Sequence, residues 1–238
     1  MKAIYEGKAK RLYETDRPEV LRMEFKDEAT AFNAAKKSVF ADKGRLNKAI
    51  TLLLYRMMEE KGVPTHLVED GDEINLFVKR VEILQVEVIV RNFAAGSFLK
   101  RTGMEEGVAF GIPIVEFSYK SDELGDPLIN DDYAREMGLA SPADCGFLKM
   151  QALVINEVLR EFFLKCGLRL IDFKIEFGRD PETGEIVLAD EVSPDTCRLW
   201  DEKTGKKLDK DRFRQDLGDV MEGYAEVLER LRAEQEKG

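Results

Sequence analysis

The stretch LIDFKIEFG, Leu170 to Gly178, leaves little choice of local structure. Phe173, Ile175 and Phe177 alternate with Asp172, Lys174 and Glu176. A period of two fits a strand with one apolar and one charged face, and fits no helix. The turn-rich segment DPETGE follows, then an apolar run from Ile186 to Ala189 that ends in Asp190 and Glu191. A hairpin folded about that turn sets Glu176 opposite Asp190 to within one residue, the slack that a bulge at Gly184 introduces. Facing carboxylates about 5 Å apart repel by roughly 3 kcal/mol at an effective dielectric of about 20, unless a cation lies between them or one is protonated.

Other segments fill in the architecture. Residues 4–26 read as a hairpin, because Leu21, Met23 and Phe25 alternate with Arg22, Glu24 and Lys26 after the TDRPE turn. Leu46, Ile50, Leu53, Leu54, Met57 and Met58 recur at helical spacing until Gly62 and Pro64 stop the helix. INLFVK (74–79) and ILQVEVIV (83–90) are strand-like, and glycines and prolines make residues 92–132 mostly loop. Ser141, Pro142 and Asp144 open a capped helix that runs to Gly167. A charged amphipathic helix is expected from about Asp211 to Glu236. Strands first, then helices and strands mixed, give an α+β fold, with a small N-terminal sheet domain over residues 1–80 and a second domain over residues 81–238.

Composition narrows the function. A net charge of −10 argues against nucleic acid or an anionic membrane as partner, so an anionic ligand must be held by local basic residues. Cys145, Cys166 and Cys197 are odd in number and widely spaced, which fits reduced thiols in the cytoplasm. The N-terminus MKAIYEGKAKRLYE is too charged for a signal peptide, and no apolar run reaches membrane-spanning length. His66 is the only histidine and follows Pro64 in a connecting segment; it is either a base or an ordinary exposed or capped side chain.

Three constellations carry possible chemistry, each with a plainer alternative. In YEGKAKRLYE, Gly7 lets the backbone approach a ligand while Lys8 and Lys10 share a side, as over nucleotide phosphates or on a solvated edge strand. In VIVRNFAAGSFLKR, Arg91 with the Gly96–Ser97 turn suits a phosphate monoester, or is a loop with surface bases. The acidic hairpin suits magnesium, which takes one or two carboxylates plus nucleotide phosphates, or is a solvated charged face with a local ion pair.

YEGKAK, RNFAAGS, LIDFKIEFG, LADEVSPDTCRLWD and DKDRFRQ occur in this order along nearly the whole chain. In these motifs the chain resembles the phosphoribosylaminoimidazole-succinocarboxamide synthase (SAICAR synthetase) family of purine biosynthesis. The resemblance implies an enzyme that joins L-aspartate to the carboxylate of carboxyaminoimidazole ribonucleotide (CAIR) while ATP becomes ADP and phosphate. It also implies a two-domain α+β fold whose N-terminal sheet covers ATP in an ATP-grasp or kinase-like manner, magnesium as cofactor, and frequent homodimers.

Position by position, the resemblance implies Lys8 and Lys10 at the ATP phosphates, with the strip from Val78 to Ile83 lining the adenine pocket. Lys120 and Lys174 would add charge at the phosphates, and Glu176 and Asp190 would ligate magnesium. Arg91, Ser97 and Arg198 would hold the phosphate of CAIR, with Asp172 and Asp195 near its imidazole and carboxylate. Lys174, Asp172 and Lys120 are the catalytic candidates, and the L-aspartate site receives no residues. A small-molecule kinase, or a nucleotide-binding module without turnover, are the competing readings.

Overall fold

The computed structural model of the chain describes residues 3–31 and 36–237. Its first sheet grows from the N-terminal alternation. Strands β1 (Tyr5–Glu6), β2 (Lys10–Glu14) and β3 (Val20–Phe25) form a meander whose inner face buries Leu21, Met23 and Phe25. A separate hairpin, β4 (Glu28–Ala31) and β5 (Lys36–Val39), leads into helix α1 (Lys43–Glu60). Strands β6 (Leu67–Asp70) and β7 (Asn75–Lys79) return to the first sheet, giving the antiparallel order β1-β2-β3-β7-β6.

The second sheet is larger. It comprises β8 (Glu82–Phe93), β9 (Ala109–Tyr119), β10 (Leu128–Ile129), β11 (Leu168–Arg179), β12 (Ile186–Ala189) and β13 (Cys197–Asp201). The order is β10-β9-β8-β11-β12, with β13 also paired to β11. The helices are α2 (Ser97–Thr102), α3 (Asp131–Glu136), α4 (Pro142–Lys165), α5 (Asp211–Arg214) and α6 (Val220–Gln235).

Helix α1 joins the two sheets. Leu52 packs with Leu21, Met23, Phe25, Leu76 and Val78 of the first sheet, whereas Leu46, Ile50, Leu54 and Met58 enter the main core. Helix α4 lays Leu148, Ala152, Ile155, Leu159 and Phe163, a helical stripe, against that same core, where Phe173, Ile175 and Phe177 of β11 meet it. The other face of β11 is left for Asp172, Lys174 and Glu176, and its burial turns a charged pleat into a site.

Two expectations are corrected. Residues 92–132 are not mostly loop, since they hold α2, the eleven-residue β9, β10 and α3. Gly111 and Pro113 disguise β9. Strand β10 reaches only Phe117 and Ser118, so Pro113 has an unpaired outer side and its missing N–H breaks no ladder. The C-terminal helix is also broken into α5 and α6 by a segment with Asp216, Gly218 and Asp219 at positive φ. Buried Arg212 holds that break, donating to the carbonyls of Lys207, Leu217 and Gly218.

The three cysteines are buried free thiols, and no helix among the described residues is long and apolar enough to cross a membrane. Met1 and Lys2 of the N-terminal segment lie outside the described residues.

Candidate active site

Between the first sheet and the charged face of the second lies a cavity of about 800 Å³. One part is an apolar slot walled by Leu12, Leu21, Met23, Val78, Val81 and Ile83. The rest carries Lys8, Lys10, Lys120, Lys174, Glu176, Asp190 and Asp195, so the expected nucleotide and metal residues share one space.

Sheet register explains how the acids and the lysine of β11 are held. Glu176 pairs with Ala189 on β12, and Asp190 lies one residue beyond at φ 65. The carboxylate directly opposite Glu176 is Glu87 on β8, not Asp190. Lys174 lies between these two acids, 2.6 Å from Glu87 and 3.0 Å from Glu176, and Lys120 meets Glu176 at 2.7 Å. Burial works to raise the Glu176 carboxyl, but Lys174 and Lys120 overcome it and hold the group down at about 2. The same acids raise both lysines against the opposing effect of burial. Asp190 is paired likewise, with Lys10 at 2.6 Å, and Lys10 also meets buried Glu191 at 2.7 Å. The expected conflict between bare carboxylates is therefore absent here, because a lysine stands beside each acid. Lys8 is half-exposed and pairs with Asp122.

A second cluster begins four residues back along β11. Asp172 faces Arg91 of β8 on one side and Arg198 of β13 on the other, and it meets their guanidiniums at 2.7 and 2.9 Å. Arg91 also reaches Glu116 at 2.7 Å and the Ser97 hydroxyl at 3.3 Å, and Arg101 meets that hydroxyl at 3.0 Å. Gly96 adopts φ 58 against the Arg198 guanidinium, leaving no room for a Cβ. Arg198 extends to Asp211 at 2.8 Å, and Asp211 to Arg214 at 2.7 Å on the cavity wall. Arg91, Ser97, Asp172 and Arg198 thus gather in one place, beside the cavity and joined to it through Asp211 and Arg214.

These observations meet a consistent set of relatives. The family model described as SAICAR synthetase matches residues 3–231. A phosphoribosylaminoimidazole-succinocarboxamide synthase of Akkermansia muciniphila is 68% identical over 232 residues, which cover 97% of this chain and 98% of the relative. The chain belongs to the SAICAR synthetase family. The crystal structure of the Ehrlichia chaffeensis phosphoribosylaminoimidazole-succinocarboxamide synthase superposes with a TM-score of 0.95 at 43% identity, covering 98% of this chain and 99% of that one. A SAICAR synthetase solved in complex with ADP gives 0.92 at 46% identity, over 95% and 96% of the two chains. Membership makes the chain an ATP-dependent ligase of purine biosynthesis.

Sequence reasoning named Asp195 but missed the residues that surround it and several other charged groups nearby. Asp195 is buried among Lys43 at 2.8 Å, Lys210 at 3.6 Å and the Tyr224 hydroxyl at 2.6 Å. Burial alone would raise its carboxyl; the two lysines and the tyrosine instead hold it far below the usual range. Lys210 is shifted downward, first by burial and then by its cationic neighbours Arg214 and Lys43. Glu87 is raised by burial in spite of Lys174. Asp209, wholly buried beside Asp211, is pushed up to about 7 by burial and by that neighbour, although its oxygens accept from the backbone N–H groups of Leu199 and Asp211. The charged residues inside ILQVEVIV and DKDRFRQ were the available signals, because a charge within an apolar run is informative once that run is buried. His66 is not exposed. It is buried, and burial lowers its imidazole to about 4, leaving a neutral ring.

Proposed function

We propose that the chain joins L-aspartate to the carboxylate of CAIR through an acyl phosphate, at the cost of ATP. Support comes chiefly from β11, which presents Asp172 within the arginine cluster and Glu176 within the lysine and carboxylate cluster. Four residues of strand separate them by about 13 Å. A ribonucleotide with a phosphate at one end and a carboxylate on its base can bridge two such clusters. Arg91, Ser97 and Arg198 take the CAIR phosphate, and Asp172 and Asp195 orient the imidazole and its carboxylate. Lys8, Lys10, Lys120 and Lys174 receive the ATP phosphates, and the slot between Val78 and Ile83 receives the adenine. Residues 1–80 form the cover over the nucleotide, and residues 81–238 the body that holds CAIR.

Glu176 and Asp190 fit magnesium by donor chemistry, being hard carboxylate oxygens in one cavity with lysines that phosphates can draw away. No cluster of three potential protein ligands exists among the described residues, which accords with an ion that enters with nucleotide phosphates. Bound there, the ion supplies charge neutralisation to the phosphates.

A free carboxylate is a poor electrophile toward an amine. Transfer of the γ-phosphoryl group to a carboxylate oxygen of CAIR makes the carbonyl carbon attackable. The aspartate nitrogen then bonds that carbon, the carbon–oxygen bond to phosphate breaks, and the protons shed by nitrogen pass to phosphate and solvent. The residues of the chain position the substrates and neutralise charge, and both Lys120 and Lys174 remain cationic throughout.

Incubation with ATP, CAIR and nitrogen-15-labelled L-aspartate tests this reading by mass spectrometry. The label is expected in the succinocarboxamide product, and succinate, which lacks the amine, should give none. ADP release that is equally fast without any amino acid would favour the kinase reading.

A further inference from the structure

Asp209 is wholly buried and does not line the cavity, so the reaction proposed above gives it no contact with either substrate. Its carboxylate nevertheless joins two segments that meet at the arginine cluster. One oxygen accepts from the Leu199 N–H at 2.8 Å, and the other from the Asp211 N–H at 2.7 Å. Leu199 follows Arg198 on β13, and Asp211 opens α5. Asp211 in turn accepts from Arg198 Nε at 2.8 Å. One side chain therefore fixes the backbone beneath both partners of the Arg198–Asp211 ion pair.

Strand β13 is weakly held by its own ladder at this point. On its inner side, the register with β11 slips between Leu170 and Asp172, the residues opposite Leu199 and Arg198. Such a bulge disrupts the ladder and re-aims the side chain beside it. On its outer side, Leu199 accepts from the Leu208 N–H at 2.9 Å and donates to Asp209, so a side-chain carboxylate stands where a neighbouring strand would offer a carbonyl. The guanidinium that results has little freedom. Asp172 accepts from it at 2.9 Å, Asp211 holds Nε, and a Cβ added at Gly96 would come within 2.7 Å of its atoms. Burial and the neighbouring Asp211 both work against a charge on Asp209, yet the two N–H groups that this acid holds adjoin the two ends of one ion pair.

We infer that Asp209 is a positioning residue: by fixing the backbone of Leu199 and Asp211, it aims the Arg198 guanidinium at the phosphate of CAIR. The inference rests on the CAIR reading of the arginine cluster. Because Asp209 acts through Arg198, its loss displaces that arginine, weakens one substrate and leaves the nucleotide untouched.

The test is a double-mutant cycle on the full chain, with wild type, Asp209→Asn, Arg198→Ala and the double variant. Steady-state assays with L-aspartate saturating give kcat and the KM for CAIR and for ATP, and thermal melts report folding. Asp209→Asn keeps one acceptor oxygen and sets an amide N–H against the other backbone donor. It should raise the KM for CAIR about tenfold and leave that for ATP within about twofold. Added to Arg198→Ala, it should change the KM for CAIR by no more than about twofold further, because the arginine it aims is gone. Asp209→Ser, smaller and with one acceptor oxygen, carries the same test where the asparagine variant does not fold. A lowered melting temperature with both KM values unchanged would overturn the inference, since Asp209 would then serve the fold alone. A second tenfold rise in the Arg198→Ala background would overturn it as well, because the effect would not pass through Arg198. An unchanged KM for CAIR in Arg198→Ala itself would overturn the CAIR reading of the arginine cluster, and the inference with it.

Discussion

Asp190 combines an uncommon backbone with a paired charge. Its φ of 65 is left-handed, and its carboxylate meets Lys10 at 2.6 Å. Aspartate and asparagine both tolerate that conformation, so Asp190→Asn changes charge with little change of backbone strain. Were Asp190 facing a bare Glu176, removing one charge would stabilise the ligand-free chain. Because a lysine stands beside each acid, the sign reverses. Loss of the Lys10 partner should cost about 1 kcal/mol, a small value for a buried pair because Glu191 continues to compensate Lys10 at 2.7 Å. Turnover should fall, and the rise in melting temperature on adding ATP and magnesium should shrink, since a ligand of the native state has been weakened. Thermal melts with and without ATP and magnesium check both. A ligand-free Asp190→Asn that melts above wild type would show that carboxylate repulsion dominates after all.

The elements that carry the site owe their positions to short-range signals of unequal visibility. Helix α4 starts with a complete capping box: Ser141 accepts from the Asp144 N–H at 3.1 Å, and Asp144 accepts from the Ser141 N–H at 3.1 Å, with Pro142 in the first turn. Ser141→Ala should lower stability by about 1 kcal/mol with kcat unchanged, as urea unfolding and a steady-state assay would show. That cap, the stripe of α1 and the period of two in β11 were legible because each is written within a few residues. Strand β9 was not, because Gly111 and Pro113 signal a turn unless one knows that its outer side lacks a partner. The break between α5 and α6 was hidden for a related reason, since Arg212 satisfies its carbonyls through bonds that no local pattern announces. The same divide runs through the site. Asp172, Lys174 and Glu176 shared a face by arithmetic. Glu87, Lys43, Lys210 and Tyr224 reach it only through register and packing between distant segments.

Across the whole molecule, the two sheets enclose a cavity whose apolar slot and lysine–carboxylate cluster are proposed to take ATP, and the adjoining arginine cluster is proposed to take CAIR. These clusters share β11 and are linked through Arg198, Asp211 and Arg214, yet each is built from different ion pairs. Arg198 borders the second cluster alone, as it does not line the slot. Its loss should therefore weaken one substrate and spare the other. The direct measurement is the KM of Arg198→Ala for each substrate, with L-aspartate saturating. Removing one partner of a desolvated charge pair typically costs about 2 to 5 kcal/mol, so the KM for CAIR should rise by at least roughly thirtyfold while that for ATP stays within about twofold of wild type. An equal rise in both, or a rise in the ATP KM alone, would contradict the division of the cavity between nucleotide and CAIR.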